Sequence, residues 1–331
     1  MAPNLDVRVA VAGEALIDLI SDAQGMFTPC LGGAVYNLSR ALSRQGIVTT
    51  YLNPLSGDRF GRSLASQLQA DHVHIAHEAP VQAPTSLAVV NLNHAGHPDY
   101  AFYREGVADR QLNSDTLHEC CNAYPQLEVV CTGALALDPR DTNIYVPWLE
   151  KQKAQGRSVV VDANLRPSVM PDLPAYRQMV MTGLRVADII KVSDEDLQHL
   201  QVSGSNPLEQ AKKLLHQTSA SLLALTLGAD GAWLLTPSGQ SVFAREATPL
   251  RVADTVGAGD SFLAGLLTWL LMQSKQAGLT QTLQALDVSR LEQALQHALA
   301  SASLCVQQQG CVPPTLDHIQ DWIQRYPCVH A

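Results

Sequence analysis

The order of apolar and amphipathic segments constrains the fold of this chain more than any other feature. Six short apolar runs have the length and composition of buried strands, and segments of helical periodicity separate most of them. The strand-like runs cover residues 7–12, 48–52, 129–132, 159–162, 189–192 and 222–227. The helical segments cover residues 34–45, 57–70, 141–155, 174–186 and 206–217. This alternation predicts an α/β fold in which helices cover both faces of a mostly parallel sheet.

Polar residues and glycines follow the ends of these predicted strands. They are Gly13, Glu14, Asn53, Thr132, Gly133, Asp162, Asn164, Ser193 and Gly228. Each is compatible with an ordinary loop, but ligands of open α/β sheets bind beyond the carboxyl ends of the strands. Their joint placement predicts a ligand crevice at that edge of the sheet.

One region breaks the alternation. Residues 86–92 and 100–104 are strand-like runs on either side of a turn at 94–99, with no helix between them. Consecutive strands without a crossover helix pair in antiparallel fashion. We expect this hairpin to lie outside the parallel sheet.

Composition excludes several functional classes. The 331 residues are 46% hydrophobic and 16% charged, which allows one large α/β domain with an appendage, or two average domains. A net charge of −9 without a Lys/Arg-rich run argues against binding to nucleic acid or to an anionic membrane surface. The seven cysteines form no Cys-x-x-Cys pair, and the first residues lack the regions of a signal peptide. We expect a cytoplasmic protein with free thiols.

The segment Asp254-Thr-Val-Gly-Ala-Gly-Asp260 carries the strongest chemical signal. Its glycines allow a tight turn that exposes backbone N–H groups, and an apolar helix follows. The start of a helix adds unsatisfied amides and the positive end of its dipole, which suits an anion. A carboxylate beside such a cradle can accept the proton of an alcohol that attacks a phosphate. The alternative is a glycine turn that merely caps a buried helix.

This segment resembles the C-terminal signature of the ribokinase-like (PfkB) sugar kinases. A second family signature stands at Gly32-Gly33-Ala-Val-Tyr-Asn37, and the resemblance extends from about residue 7 to about 315. It implies a ribokinase-like three-layer sandwich, formed by residues 1–331 as a single domain. It also implies a small β-lid from about 21–31 and 84–111, which excludes water from the sugar site and can pair with a second subunit in a homodimer.

The resemblance assigns catalytic roles to the glycine-rich segment. Asp260 corresponds to the catalytic base, and the amides of Gly257, Ala258 and Gly259 correspond to the anion hole for the transferring phosphate. Arg166 corresponds to an arginine near the substrate and the moving phosphate. From the residues alone, Arg166 is equally compatible with a surface charge.

The substrate side of the resemblance involves residues near the N-terminus. Asp18, Gly32, Gly33 and Asn37 correspond to sugar-binding positions, and Arg104 resembles a lid arginine of related keto-sugar kinases. An ionised Asp can accept two hydroxyl hydrogen bonds from a sugar diol. Without the resemblance, Asp18 would also fit a turn or helix cap, and the two glycines a flexible lead into a helix.

The nucleotide side is assigned in the same way. Thr226, Gly228 and Gly231 match a turn that contacts phosphates and ribose, Gly310 borders the adenine pocket, and Gly259 also meets the nucleotide. The chain departs from the family at Ser193-Asp-Glu-Asp196, where many relatives carry Asn-x-x-Glu to organise Mg²⁺. We assign Ser193 to the nucleotide and Asp196 to the metal, with Glu195 as the alternative. Some members of the family need a monovalent cation such as K⁺ near the anion hole, and Asp254 would contribute to such a site here.

These assignments predict an ATP-dependent sugar kinase that uses Mg²⁺. The motifs look most like those of bacterial fructokinases, which implies phosphorylation of a primary hydroxyl of D-fructose to give fructose 6-phosphate. The alternatives within the family are a 2-keto-3-deoxygluconate kinase or a ribokinase. A catalytically silent, sugar-binding regulatory protein is the alternative from a different class.

Overall fold

The computed structural model describes residues 6–21, 24–92, 98–274 and 278–330. Its strands are β1 (Val9–Val11), β2 (Leu16–Ser21), β3 (Phe27–Gly32), β4 (Thr49–Tyr51), β5 (His74–Ile75), β6 (Ser86–Leu92), β7 (Pro98–Tyr103), β8 (Val129–Gly133), β9 (Ser158–Asp162), β10 (Ile189–Ser193), β11 (Leu222–Thr226), β12 (Ala232–Leu235), β13 (Ser241–Arg245) and β14 (Val329–His330). Its helices are α1 (Ala34–Arg44), α2 (Arg59–Ala70), α3 (Ser114–Asn122), α4 (Tyr145–Ala154), α5 (Leu173–Val186), α6 (Asp194–His199), α7 (Pro207–His216), α8 (Ala258–Gln273), α9 (Gly278–Gln284), α10 (Val288–Cys305) and α11 (Leu316–Arg325).

The large sheet has the strand order β14-β13-β12-β11-β10-β9-β8-β1-β4-β5. Its pairings from β11 to β5 are parallel, whereas β12, β13 and β14 add antiparallel strands at one edge. All six strand-like runs of the sequence belong to its parallel part, and the five predicted helices correspond to α1, α2, α4, α5 and α7. The prediction of a mostly parallel α/β sheet is therefore confirmed.

The small sheet, which we call the lid, has the order β3-β2-β6-β7. The predicted hairpin is present as the antiparallel pair β6–β7. Residues 94–97 of its predicted turn lie outside the described part of the chain, and residues 98 and 99 belong to β7. In its centre β2 runs parallel to β6, with Leu16 opposite Ser86. The lid therefore begins at Leu16, earlier than the sequence predicted, and Asp18 lies within a strand of the lid.

Two apolar clusters cover the faces of the large sheet. One joins the sheet to α3, α4, α5 and α7, and the other joins it to α1, α8 and α10. Helix α8 is apolar around its whole circumference, as expected of a helix packed between the sheet and α10. Packing on both sides fixes the N-terminal turn of α8, which carries the glycine-rich segment. In the described part of the chain, no helix is long and apolar enough to cross a bilayer.

Candidate active site

A cavity of about 360 Å³ lies between the lid and the carboxyl ends of the parallel strands. The lid contributes Asp18, Cys30, Val90 and Phe102, and the loops after the parallel strands contribute Ala134, Asn164 and Arg166. The glycine-rich segment and Asn37 complete the wall. Residues that are far apart in the sequence thus meet at the edge where the sequence predicts a crevice.

Asp260 occupies the first turn of α8, at the bottom of this cavity. Gly257 precedes the helix in a left-handed conformation with φ 78°, and the Ser261 N–H donates to its carbonyl at 2.8 Å. The Asp260 side chain is buried, and the Asn37 amide donates a hydrogen bond of 3.0 Å to its Oδ2 atom. The carboxylate is therefore oriented by a residue of α1, the helix that packs beside α8.

The environment of Asp260 suits a proton acceptor. Burial raises the pKa of its carboxyl to about 6, although the Asn37 hydrogen bond and the charges of Lys191 and Arg166 oppose this. A base is most effective when its pKa approaches the working pH. Asp260 is thus ionised at neutral pH and basic enough to accept a hydroxyl proton.

The turn before α8 is tightly packed. A Cβ atom on Gly257 would lie 2.3 Å from the Cys311 Sγ atom, which leaves no room for any other residue. The Ala258 N–H already donates to the Thr255 carbonyl at 3.2 Å. The two carboxylate oxygens of Asp254 accept the N–H groups of Val256 and Gly310, each at 3.0 Å. These contacts hold the backbone of the predicted anion hole in place.

On the lid side, Gly32 and Gly33 each lack room for a side chain, for a different reason. A Cβ atom on Gly32 would lie 2.2 Å from Asp18 Oδ2, and one on Gly33, at φ 112°, would lie 2.5 Å from the Glu14 carbonyl oxygen. Burial raises the pKa of Asp18 to about 6, and the charge of Arg166 opposes the shift. Asp18 therefore presents a poorly hydrated carboxylate to the cavity.

Two charged residues of the cavity wall received no chemical role from the sequence, although Glu14 was among the residues expected at the crevice. Glu14 is buried, accepts the Ala34 N–H at 3.0 Å at the start of α1, and has a pKa that burial raises to about 7. Lys191 is 5% exposed on β10 and forms an ion pair of 3.2 Å with Asp162. A charged residue within an apolar strand, as in Ile189-Ile-Lys-Val192, is the sequence signal that would have identified Lys191.

Arg166 and Arg104 have different surroundings. Arg166 lines the cavity, and its Nη1 atom donates to the carbonyls of Asn164 and Leu165 at 3.3 and 3.0 Å. Arg104 lines a second cavity, of about 410 Å³, and donates to the Leu135 carbonyl at 3.0 Å and to Asp109 at 3.1 Å. The structure therefore does not place Arg104 in the wall of the cavity that contains Asp260.

Of the residues assigned to the nucleotide, Ser193, Thr226, Gly228 and Gly231 lie at or just after the ends of β10 and β11, whereas Gly259 lies in α8 and Gly310 follows α10. Thr226 ends β11, and Gly228 and Gly231 flank the short turn after it, outside the wall of the first cavity. Gly310 belongs to that wall. Ser193 and Asp196 form a capping box at the start of α6, and the Asp196 oxygens accept the N–H groups of Leu165 and Ser193 at 2.7 and 2.8 Å.

Comparison with known proteins identifies the family. The model of the pfkB family carbohydrate kinases matches residues 7–318. This chain belongs to that family. It is therefore a carbohydrate kinase, as the two signatures predict.

Named relatives of this pfkB kinase include several fructokinases. The fructokinase of Rhizobium leguminosarum bv. trifolii is 33% identical over 270 residues, which cover 80% of each chain. The fructokinase of Salmonella typhimurium is 29% identical over 310 residues, which cover 93% of this chain and 96% of the relative.

Solved structures show the same architecture. The fructokinase of Xylella fastidiosa with bound ATP gives a TM-score of 0.84 at 23% identity, over 97% of this chain and 99% of that one. A double mutant of the fructokinase of Vibrio cholerae O395, bound to fructose, ADP and potassium ion, gives a TM-score of 0.77 at 25% identity. The match covers 96% of this chain and 98% of that one. The prediction of a ribokinase-like fold with a small second sheet is confirmed.

Proposed function

We propose that this pfkB kinase is an ATP-dependent fructokinase, which transfers the γ-phosphoryl group to the primary 6-hydroxyl of D-fructose. The observation that carries the proposal is the buried Asp260 carboxylate at the start of α8, within a cavity that also contains Asp18 and Arg166. The relatives that are named fructokinases support the choice of sugar.

In this mechanism Asp260 accepts the proton of the attacking hydroxyl. The Asn37 hydrogen bond orients the carboxylate, and its raised pKa favours proton transfer at neutral pH. The hydroxyl oxygen then forms a bond to the γ-phosphorus, while the bond to the β-phosphate oxygen breaks and ADP leaves.

The charge that develops on the transferring group meets donors at the start of α8. The backbone of Gly257, Ala258 and Gly259 lies at the positive end of the helix dipole, and Arg166 supplies a full positive charge to the same cavity. Because the protein carries a net charge of −9, these local donors must attract the phosphates.

The sugar lies between the lid and Asp260 in this proposal. Asp18 accepts sugar hydroxyls, and Gly32 and Gly33 let the lid backbone approach the ligand. Arg104 is proposed to contact the sugar while it keeps its hydrogen bonds to Leu135 and Asp109. Closure over the sugar would exclude water from the phosphate.

The nucleotide is proposed to extend from the anion hole along the ends of β10 and β11. Ser193, Thr226, Gly228 and Gly231 border its phosphates and ribose, and Gly310 borders the base. We further propose a K⁺ site beside Asp254, which lies in the cavity wall next to the anion hole. The potassium ion bound to the Vibrio cholerae fructokinase supports this proposal.

We propose that Mg²⁺ enters together with ATP, near Asp196, a buried carboxylate in the helix after β10. Backbone N–H groups hold both Asp196 oxygens in one orientation, which leaves lone pairs for water or metal. Mg²⁺ keeps several waters and takes one or two carboxylates in addition to substrate phosphates. Asp196 would be its protein ligand, and the bound ion would neutralise phosphate charge.

We also propose a homodimer through the lid. Ile20, Phe27 and Tyr103 on the lid are 37%, 46% and 62% exposed. Pairing of two lids would remove these apolar side chains from water. Light scattering across a range of concentrations measures the mass, and a monomer throughout that range contradicts this part of the proposal.

The substrate is tested by initial rates of ADP release with D-fructose, D-ribose and 2-keto-3-deoxygluconate at equal concentration. Fructose is expected to give the highest rate, with phosphate on O6 by NMR. A preference for ketodeoxygluconate would instead assign Arg166 to the substrate carboxylate. Binding of fructose without ADP release would identify a silent binding protein.

The role of Asp260 is tested by Asp260→Asn. Turnover is expected to fall by about 10²-fold or more, the usual effect of losing a positioned base, while fructose and ADP still bind in calorimetry. The matched control is Asp172→Asn, the same change at the exposed start of α5, which should leave turnover unchanged. Near-full activity of Asp260→Asn would exclude Asp260 as the base.

A further inference from the structure

Lys191 combines burial with direct access to the anion hole. Its side chain is 6% exposed, although it lines the same cavity as Gly259, Asp260 and Arg166. A Cβ atom on Gly259 would lie 3.0 Å from the Lys191 Nζ atom. The ammonium group therefore lies against the first turn of α8, beside the backbone to which the transferring phosphate is assigned.

The contacts of Lys191 leave part of its hydrogen-bonding capacity for a ligand. An ammonium group has three donors. Within the described residues, the one carboxylate at ion-pair distance is Asp162, at 3.2 Å. Asp162 itself is 4% exposed, on the adjacent strand β9.

The surrounding charge keeps Lys191 protonated. Burial alone would lower the pKa of its ammonium group, but Asp162, Asp196 and Asp260 together outweigh burial and raise that pKa. When ionised, these three carboxylates outnumber the two cations of the site, Lys191 and Arg166, so the γ-phosphate needs a cation at its point of contact. Lys191 is the cation that the fold places there.

We propose that Lys191 is a further catalytic residue, which contacts the γ-phosphoryl group beside Gly259 and stabilises its charge during transfer. This inference rests on the proposed kinase mechanism. Lys191 stays protonated throughout: the hydroxyl proton goes to Asp260, the sugar oxygen bonds to phosphorus, and ADP leaves with the electrons of the broken bond. The positive charge stabilises the moving group, as oriented donors do in other phosphoryl transfers.

The main test compares Lys191→Met with Lys191→Met/Asp162→Asn. The single variant leaves Asp162 buried without a partner, so a loss of stability is expected. The double variant removes that unpaired charge and should recover melting temperature. Its kcat is nevertheless expected to stay about 10²-fold or more below wild type, the usual effect of removing one charge-stabilising donor, with little change in the KM for sugar. Recovery of kcat together with stability would overturn the proposal.

A second measurement is independent of turnover. Because the proposed contact is with the γ-phosphate, the double variant should bind a non-hydrolysable ATP analogue more weakly than wild type does, while its affinity for ADP changes little. Equal weakening for both nucleotides would contradict the contact. If the wild type transfers phosphate to none of the sugars, the proposed function fails, and this binding comparison still tests Lys191.

A third measurement uses the pH profile. The groups that face Asp260 are Lys191 on β10, Arg166 after β9, Asp162, Asn37, and the thiols of Cys305 and Cys311. Since the charge of Lys191 lowers the pKa of Asp260, its loss in Lys191→Met should move the acidic limb of kcat/KM to higher pH. Lys191→Arg, which keeps the charge, should leave that limb near its original position. If the acidic limb does not move in Lys191→Met, the ammonium group does not lie beside Asp260 and the proposed contact with the γ-phosphoryl group is contradicted.

Discussion

At the scale of single residues, Gly257 shows how strictly the turn before α8 specifies its amino acid. Its φ of 78° is unfavourable for any residue with a side chain, and the Cys311 sulfur occupies the space that a side chain would need. The backbone conformation and the packing against Cys311 thus each require glycine at position 257. The backbone of the proposed anion hole therefore has little freedom to adapt to a substitution.

Gly257→Ala is expected to lower both melting temperature and turnover. A left-handed alanine costs about 1–2 kcal/mol, and the overlap with Cys311 adds to this. Gly156→Ala is the matched control, because Gly156 has φ 82° and nothing within 4 Å of an added Cβ atom. Gly156→Ala should lose only the stability that a left-handed backbone costs an alanine. Adding Cys311→Ala to Gly257→Ala should recover part of the lost melting temperature and turnover, because it removes the overlapping sulfur atom. Equal effects at both glycines would contradict the steric argument.

The titration of Asp260 predicts how activity responds to pH. Since burial raises the pKa of this carboxyl to about 6, the base loses its ionised form as pH falls through that value. The value of kcat/KM for the sugar should therefore fall as the pH drops below about 6. This midpoint is about two pH units above the pKa of an ordinary aspartate. A profile that stays flat down to about pH 4.5 would exclude this base, since Asp260 would then be largely protonated.

Sequence motifs predicted which residues gather at the cavity better than they predicted each residue's contacts. The glycine-rich segment, Asp18 and Arg166 meet there as expected, because glycines and polar residues at strand ends are informative. Lys191 was not assigned because its strand was interpreted only as apolar core. The burial of Arg104 depends on Asp109 and Leu135, and no local pattern encodes contacts of that kind.

At the scale of secondary-structure elements, Arg104 ties the lid to the body of the protein. It follows β7 directly, pairs with Asp109, and donates to the Leu135 carbonyl after β8. Asp109 also accepts a hydrogen bond of 2.5 Å from Ser86 at the start of β6. Both strands of the lid hairpin are therefore anchored at the end nearest the large sheet.

Arg104→Met should destabilise the protein by about 3–5 kcal/mol, because it leaves the Asp109 charge buried and unpaired. Arg140→Met is the control, since Arg140 pairs with Asp138 but its side chain is 44% exposed. Chemical denaturation measures both variants, and a smaller loss is expected for Arg140→Met. Comparable losses would show that burial does not distinguish the two ion pairs.

Element boundaries were predictable where a segment is apolar on both faces. Six of the parallel strands have that property, and each of these six was located to within two residues at either end. The seventh, β5 (His74–Ile75), was not predicted, because its two residues are only half-buried at the edge of the sheet. Strand β2 was missed because Asp18 interrupts its apolar pattern, and its place in the lid depends on pairing with the distant β6. The C-terminal β14 depends in the same way on the distant β13.

At the scale of the whole molecule, buried carboxyls link stability to pH. Burial raises the pKa of Glu14 and Asp162 to about 7, and that of Asp18 and Asp260 to about 6. Their ordinary values are 3.8 to 4.5. At a pH between the ordinary and the raised pKa values, the folded state binds more protons than the unfolded state. These groups therefore increase the free energy of unfolding as pH falls.

The ligand-free protein should therefore melt at a higher temperature near pH 5.5 than near pH 8. Below about pH 4 the trend should reverse, because Asp58, Asp71 and Asp138 have lowered pKa values and lose favourable contacts on protonation. Glu14→Gln keeps an acceptor for the Ala34 N–H, and it should weaken the dependence of melting temperature on pH between about pH 5.5 and pH 8. A melting temperature that rises steadily from acid to pH 8 would refute this account.

The hydrogen bond from Asn37 to Asp260 joins two parts of the polypeptide that lie 223 residues apart in the sequence. Asp18, the paired glycines and the lid hairpin come from the first third of the chain, whereas Arg166, Lys191 and the turn before α8 come later. A chimera between two relatives with its crossover between α3 and β8 would exchange the first group as a block. Such a recombinant would inherit its lid from one parent and the residues proposed to contact phosphate from the other, provided that both parents retain the Asn37 and Asp260 pair.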